Sequence, residues 1–120
     1  MSKARTITMW VLTAIVGLMM IVAGAGKFGP DSFWISRFAG WGYAPWFVVV
    51  VGVAEVLGGI GLFIPKVSLL SAIGLVLVML GAGATHLLNN EFGNSLAPLI
   101  YVALLAPIIF FRRQGAKGAR

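Results

Sequence analysis

The sequence predicts an all-α fold: an integral membrane antiparallel four-helix bundle with a short interfacial helix in its first outer loop. Three observations carry this expectation. Of the 120 residues, 60% are hydrophobic and only 10% charged, and the mean hydropathy is +1.01. A soluble domain carries about 25% charged residues, and so few charges do not cover a water-soluble fold of this size. The apolar residues gather in four runs, each long enough to cross a hydrocarbon core of roughly 30 Å as a helix. The basic residues flank those runs, where they set membrane topology. Lipid satisfies no backbone hydrogen bonds, so the spans must be helical, and the length fits a single membrane domain over residues 1–120.

The first run, residues 7–26, contains no charge. Lys3 and Arg5 precede it, and Ala23-Gly24-Ala25 resembles a signal-peptide cleavage site. A signal core is about 7–15 residues, however, and this run is longer, so it reads as a retained span. In the outer loop that follows, Asp31 and Ser32 are candidate caps for a helix in which Phe33, Trp34, Arg37, Phe38 and Trp41 recur at helical spacing. That helix reads as interfacial, anchored by Tyr43 and Trp46 in the headgroup layer; a lid over a cavity between the spans is the alternative. The second run, 45–64, contains Glu55. A turn at Pro65 and Lys66 leads to the third, 67–88, with His86 near its end. The fourth, 95–111, has Pro98 in its first turn and Pro107 near its end. The basic tail from Arg112 to Arg120 reads as an unstructured topology anchor for anionic lipid.

With the N-terminus in the cytoplasm, the inner side holds Lys3, Arg5, Lys66, Arg112, Arg113, Lys117 and Arg120, and the outer side only Lys27 and Arg37. This bias places both termini in the cytoplasm. The net charge of +6 would suggest nucleic acid in a soluble protein; here membrane topology accounts for it, and no nucleic-acid partner is expected. The chain has no cysteine, which removes disulfides and thiol chemistry. One histidine and three acidic residues are too few for a structural zinc site, so no metal is expected. There is no phosphate loop, nucleophile–base pair or dinucleotide fingerprint, and no spacing signals a haem.

Glu55 is the most informative residue. It lies about ten residues, roughly 15 Å, into the second span, where a carboxylate implies a buried partner or a functional site. Its helical neighbours Gly52, Gly58 and Gly59 are small, which lets helices approach closely and turns Glu55 into the bundle. Gly81 and Gly83 form a similar small run ahead of His86. Lys27, at the outer end of the first span, could reach inward or snorkel outward. Glu55, His86 and Lys27 therefore sit in the outer half of the bundle or at its outer mouth, with Asn89, Asn90 and Glu91 adding polar capacity. Two readings stay open: a latch pairing Glu55 with Lys27 or His86, or a ligand-binding or proton-relay site.

At these residues the chain resembles the DoxX family and its DoxX-like relatives, small four-span bacterial membrane proteins. The resemblance lies in Gly24-Ala25-Gly26-Lys27-Phe28, in the second span from Gly52-Val53-Ala54-Glu55 through Gly58-Gly59 to Pro65, and in Ala84-Thr85-His86. It covers most of the chain, and Glu-x-x-Gly-Gly is its most specific part. It implies a four-helix bundle in the bacterial inner membrane, with Lys27, Glu55 and His86 as the polar positions. Some relatives are subunits of thiosulfate:quinone oxidoreductase or join membrane redox complexes; more distant ones act as membrane chaperones or cargo receptors. By resemblance, this chain is a small subunit of a quinone-linked membrane oxidoreductase or redox-homeostasis system. Quinone is then the cofactor to expect, and any catalysis depends on a cofactor or a partner subunit. A non-enzymatic assembly factor or chaperone, binding partner proteins or small lipophilic ligands, is the alternative. A small transporter is disfavoured, because the first span carries no acid. Partners expected besides the bilayer are a membrane or redox subunit and a second copy of the chain.

Overall fold

In the computed structural model, which describes the backbone of residues 1–118 and the side chains through residue 115, the described residues are helical or irregular, without strands. Four long helices are apolar enough to cross a membrane: α1 (Lys3–Ala25), α3 (Pro45–Leu62), α4 (Pro65–Leu88) and α5 (Leu96–Gly118). A short helix, α2 (Phe33–Gly40), lies in the first loop, and a 3-10 turn (Gly93–Ser95) leads into α5. This is the expected membrane bundle, and the protein is a multi-pass membrane protein.

Local chemistry sets the helix ends. The Ser2 hydroxyl accepts from Arg5 N at 3.2 Å at the start of α1. Ser32, and not Asp31, caps α2, accepting from Trp34 N at 3.4 Å. Proline begins α3 and α4 at the position where a missing N–H leaves no bond unmade. Two helices stop in the same way. Gly42 (φ 90°) follows α2 and Asn90 (φ 60°) follows α4, both left-handed. Tyr43 N then bonds back to Phe38 O at 2.9 Å, and Glu91 N to His86 O at 2.8 Å. These are Schellman endings, and each turns the chain back toward the helix it has just left. The tail departs from the sequence expectation: α5 continues through Arg112 and Arg113 to Gly118, because the helix established by the apolar run continues at no cost in new contacts. Residues 119 and 120 of that expected tail lie outside the described residues.

The helices form a ring in which α1 adjoins α3 and α5, and α4 adjoins α3 and α5. The start of α1 and the last turns of α5 lie at one end, where Arg5 Nη1 donates to Gln114 Oε1 at 3.3 Å. The half of the bundle nearer the termini is solid: Val16, Leu62, Ala72, Leu75, Leu105 and Ile108 are buried together there. Met20 and Met79 close this core toward the middle of the membrane, while Met19 faces outward.

The tightest contact is a glycine seam between α1 and α3. A Cβ on Gly24 would fall 2.6 Å from the Gly52 carbonyl oxygen, and one on Gly59 would fall 2.7 Å from that of Gly17. The two contacts lie a heptad apart on each helix, so the backbones touch at two levels. Gly58 instead accommodates the Leu75 side chain of α4. A Cβ on Gly83 would make ordinary contact with Pro98 of α5 at 3.8 Å, whereas one on Gly81 would meet nothing within 4 Å. Gly81 thus departs from the packing expectation. Gly24→Ala should destabilise the bundle by about 1–3 kcal/mol, because backbone cannot rotate away from an overpacked contact. Gly81→Ala should stay within about 0.5 kcal/mol. Thermal unfolding in mild detergent compares them, and equal midpoints would show that the seam is not a close contact.

Candidate functional site

The half of the bundle away from the termini is hollow. A cavity of about 640 Å³ occupies it, walled by α1 at Met20 and Ala23, by Lys27 just past the end of α1, by α3 from Phe47 to Glu55, by α4 from Leu77 to His86, and by Pro98 and Tyr101 of α5. Its roof is α2, whose Phe33, Trp34, Arg37 and Phe38, with Trp41 beyond, all line it. The interfacial helix of the sequence reading is therefore also the roof of an inter-helix cavity. Phe38 is the centre of that roof, buried against Trp34, Trp41, Tyr43 and Phe47 at ring-centroid distances from 5.4 to 6.2 Å.

The cavity also opens sideways. Gly58 of α3 faces α4 at Leu75, and a Cβ on Gly83 of α4 would face Pro98 of α5, so α4 stands between α3 and α5 in the ring. Leu77 and Gly81 of α4 line the cavity, as do Val50 and Ala54 of α3. Yet Val50 is 48% and Leu77 66% exposed. Residues that both line a cavity and face outward mark a slot, here between α3 and α4 toward the lipid.

Lys27, Glu55 and His86 all border this space, but they divide into two clusters. Lys27 reaches inward: its Nζ lies 2.5 Å from Glu55 Oε1, and both side chains are buried. The contact is ionic, while the ammonium donates to Ala23 O at 3.4 Å and sits 4.6 Å from the centroid of the Trp34 ring. A lysine at a helix end has a stem long enough to snorkel outward; here the buried carboxylate and the aromatic face of the roof hold it in. The carboxylate left open between two partners is thus paired with Lys27.

His86 belongs to the second cluster. Its Nδ1 lies 2.8 Å from Glu91 Oε1. The same carboxylate accepts from Arg37 Nη2 at 3.2 Å and from Trp41 Nε1 at 3.1 Å, both from the roof. Trp41 also meets the His86 ring edge to face at 5.2 Å. Hydrogen bonds from His86 and then Trp41, with the Arg37 charge, hold the Glu91 carboxyl below its ordinary range, so at neutral pH it is a carboxylate that only accepts. His86 Nδ1 must therefore carry the proton of that bond, and Nε2 is the ring's unprotonated nitrogen in the neutral form. Beside this cluster Thr85 donates to Gly81 O at 2.8 Å, so in its 2.8 Å contact with Tyr43 the tyrosine hydroxyl is the donor.

The sequence reading placed Glu91 only as added polar capacity and did not single out Arg37, Trp41, Tyr43, Thr85 or Tyr101 as site residues. The signals were Gly42 and Asn90, residues suited to the left-handed position past a helix end. Glu91 lies five positions after His86, a spacing that puts side chains apart on a straight helix; the turn at Asn90 brings them together. No group of three metal-ligating side chains occurs among the described residues.

Comparison with curated proteins and with solved structures finds no match for the chain. The sequence matches the model of the DoxX-like family over residues 11–108, from within α1 to within α5 and including both polar clusters, and the chain belongs to the DoxX-like family.

Proposed function

We propose that this membrane protein binds the headgroup of an isoprenoid quinone in its roofed cavity and serves as a small subunit of a quinone-linked membrane oxidoreductase or redox-homeostasis system. The observation that carries the reading is the cavity itself: about 640 Å³, within the 300–1,000 Å³ or so of small-molecule sites, mainly apolar, and with polar groups on two walls. A quinone headgroup is flat, neutral and rich in acceptors. That suits a space whose charges are already paired, Lys27 with Glu55 and Arg37 with Glu91, and whose roof offers aromatic faces. The slot beside Val50 and Leu77 leaves room for an apolar tail to remain in lipid. Quinone chemistry moves protons with electrons. Lys27, Glu55 and His86 supply the proton-exchanging side chains, and with no cysteine in the chain the electrons come from a partner subunit's cofactor.

The distribution of basic residues supports a cytoplasmic position for both termini. The cavity then faces the outer half of a bacterial inner membrane.

The test is extraction and mass spectrometry of quinone from protein purified in mild detergent and equilibrated with a ubiquinone analogue. Ala54→Trp fills the cavity from its α3 wall and should lower retained quinone at least ~10-fold, a loss of about 1.4 kcal/mol or more, with the helical fold intact by circular dichroism. Equal, negligible retention by both proteins would overturn the reading and favour an assembly factor that binds partner proteins.

A further inference from the structure

The roof helix is held in an unusual way. Its backbone packs on α3 alone among the helices; its tie to α4 and the loop beyond is made by side chains. Two of those ties, from Arg37 and Trp41, end on a single acceptor, the part-exposed carboxylate of Glu91. The third donor to that carboxylate is His86, which is buried and borders the cavity. One acidic group therefore serves both the roof and the imidazole. The charged and polar groups facing it are Arg37 from α2, Trp41 just past its end, His86 from α4 and Asn94 from the 3-10 turn.

We infer that Glu91 is a positioning residue that links closure of α2 to the state of His86: with α2 docked, its carboxylate holds the imidazole proton on Nδ1 and presents Nε2 to the cavity as a proton acceptor, and with α2 released it does neither. The inference rests on the quinone reading for its purpose, though not for its geometry. Two donors from the roof hold the carboxylate over His86. Without them a side chain at the bundle's surface is free to turn to water, and the ring is free to take its other tautomer.

The step this arrangement serves is a proton transfer without an electron. A hydroxyl of the reduced headgroup gives its proton to Nε2: the O–H bond breaks, an N–H bond forms, and a phenolate stays in the cavity. The resulting imidazolium is stabilised by Glu91 through Nδ1–H. Linking the acceptor to the closed roof confines this exchange to a cavity shut from water.

The chain suits a direct test, because it contains one histidine and no cysteine. In protein labelled with 15N-histidine and free of quinone, the two ring nitrogens of the neutral imidazole should resolve as a protonated Nδ1 and a bare Nε2. Nitroxides on Ser36→Cys in α2 and Leu88→Cys in α4 should give one narrow distance distribution by pulsed electron resonance. Glu91→Gln should both broaden that distribution and shift the ring toward the Nε2-protonated form. The double variant Arg37→Gln/Trp41→Phe, with Glu91 intact, should do the same. An unchanged tautomer in Glu91→Gln, or a released α2 with an unchanged ring in the double variant, would overturn the inference. Because these signals are read without quinone, their failure is separate from a failure to retain quinone in the loaded protein.

Discussion

Lys27→Ala is expected to be the most destabilising single exchange in the cavity, by about 3–5 kcal/mol, the range for removing one partner of a buried ion pair. The Glu55 carboxylate is buried well inside α3, and no other cation within the ion-pair distance is available to it among the described residues. The reverse exchange is milder. In Glu55→Ala the orphaned ammonium sits at the end of α1, and its stem can carry it out to the membrane surface. Glu55→Gln should be milder still, since glutamine keeps the volume and one acceptor for Lys27. The double exchange Lys27→Met/Glu55→Leu should return close to the stability of the unaltered protein, because apolar replacement of a whole buried pair is often neutral or favourable. Thermal unfolding in mild detergent ranks the four variants. Equal midpoints for Lys27→Ala and Glu55→Gln would show that the pair is solvated and not part of a packed site. If the double variant is stable yet retains no quinone, the pair is kept for the ligand more than for the fold.

Leu75→Ala should follow, at about 2–3 kcal/mol, toward the low end for truncation of a buried leucine. Leu75 is 1% exposed and fills the space that Gly58 leaves on α3. In a membrane the released surface meets lipid and not water, so most of the loss is in packing contacts. Leu77, two residues along the same helix, is 66% exposed, and Leu77→Ala should change stability by less than about 0.5 kcal/mol. The contrast separates packing from hydropathy, since both positions lose the same atoms. Equal effects would mean that the solid half of the bundle is no better packed than its lipid face.

Much of the fold is legible in the chain because bilayers restrict the answers so strongly. The span assigned to 45–64 is α3, Pro45–Leu62, and the span assigned to 67–88 begins two residues earlier, at Pro65. The aromatic spacing after Ser32 is α2. In the site, the cost of charge in lipid singles out Glu55 and marks Lys27 as a candidate partner. His86 reads less well, because a histidine near a span end resembles an interfacial one; only its burial beneath Trp41 and its bond to Glu91 separate the two. The tail was misjudged for a related reason: a basic segment carries no apolar signal, yet a helix already under way extends through Arg112 and Arg113.

The helical class, the number of spans and the inward-facing glycine surface around Glu55 all follow from composition and period, since lipid demands internal hydrogen bonds and helix faces repeat every 3.6 residues or so. Three matters belong to the tertiary structure: that Lys27 and not His86 takes Glu55, that the far half of the bundle is hollow, and that α2 is fastened to α4 through Glu91. Each depends on contacts between segments far apart in the chain, or on a left-handed turn at Gly42 or Asn90 that reverses a side chain's direction. Hydrophobic periodicity records which face of a helix is turned inward. It carries no record of which side chains meet there, because that is decided by the distance between helices and by the turns at their ends.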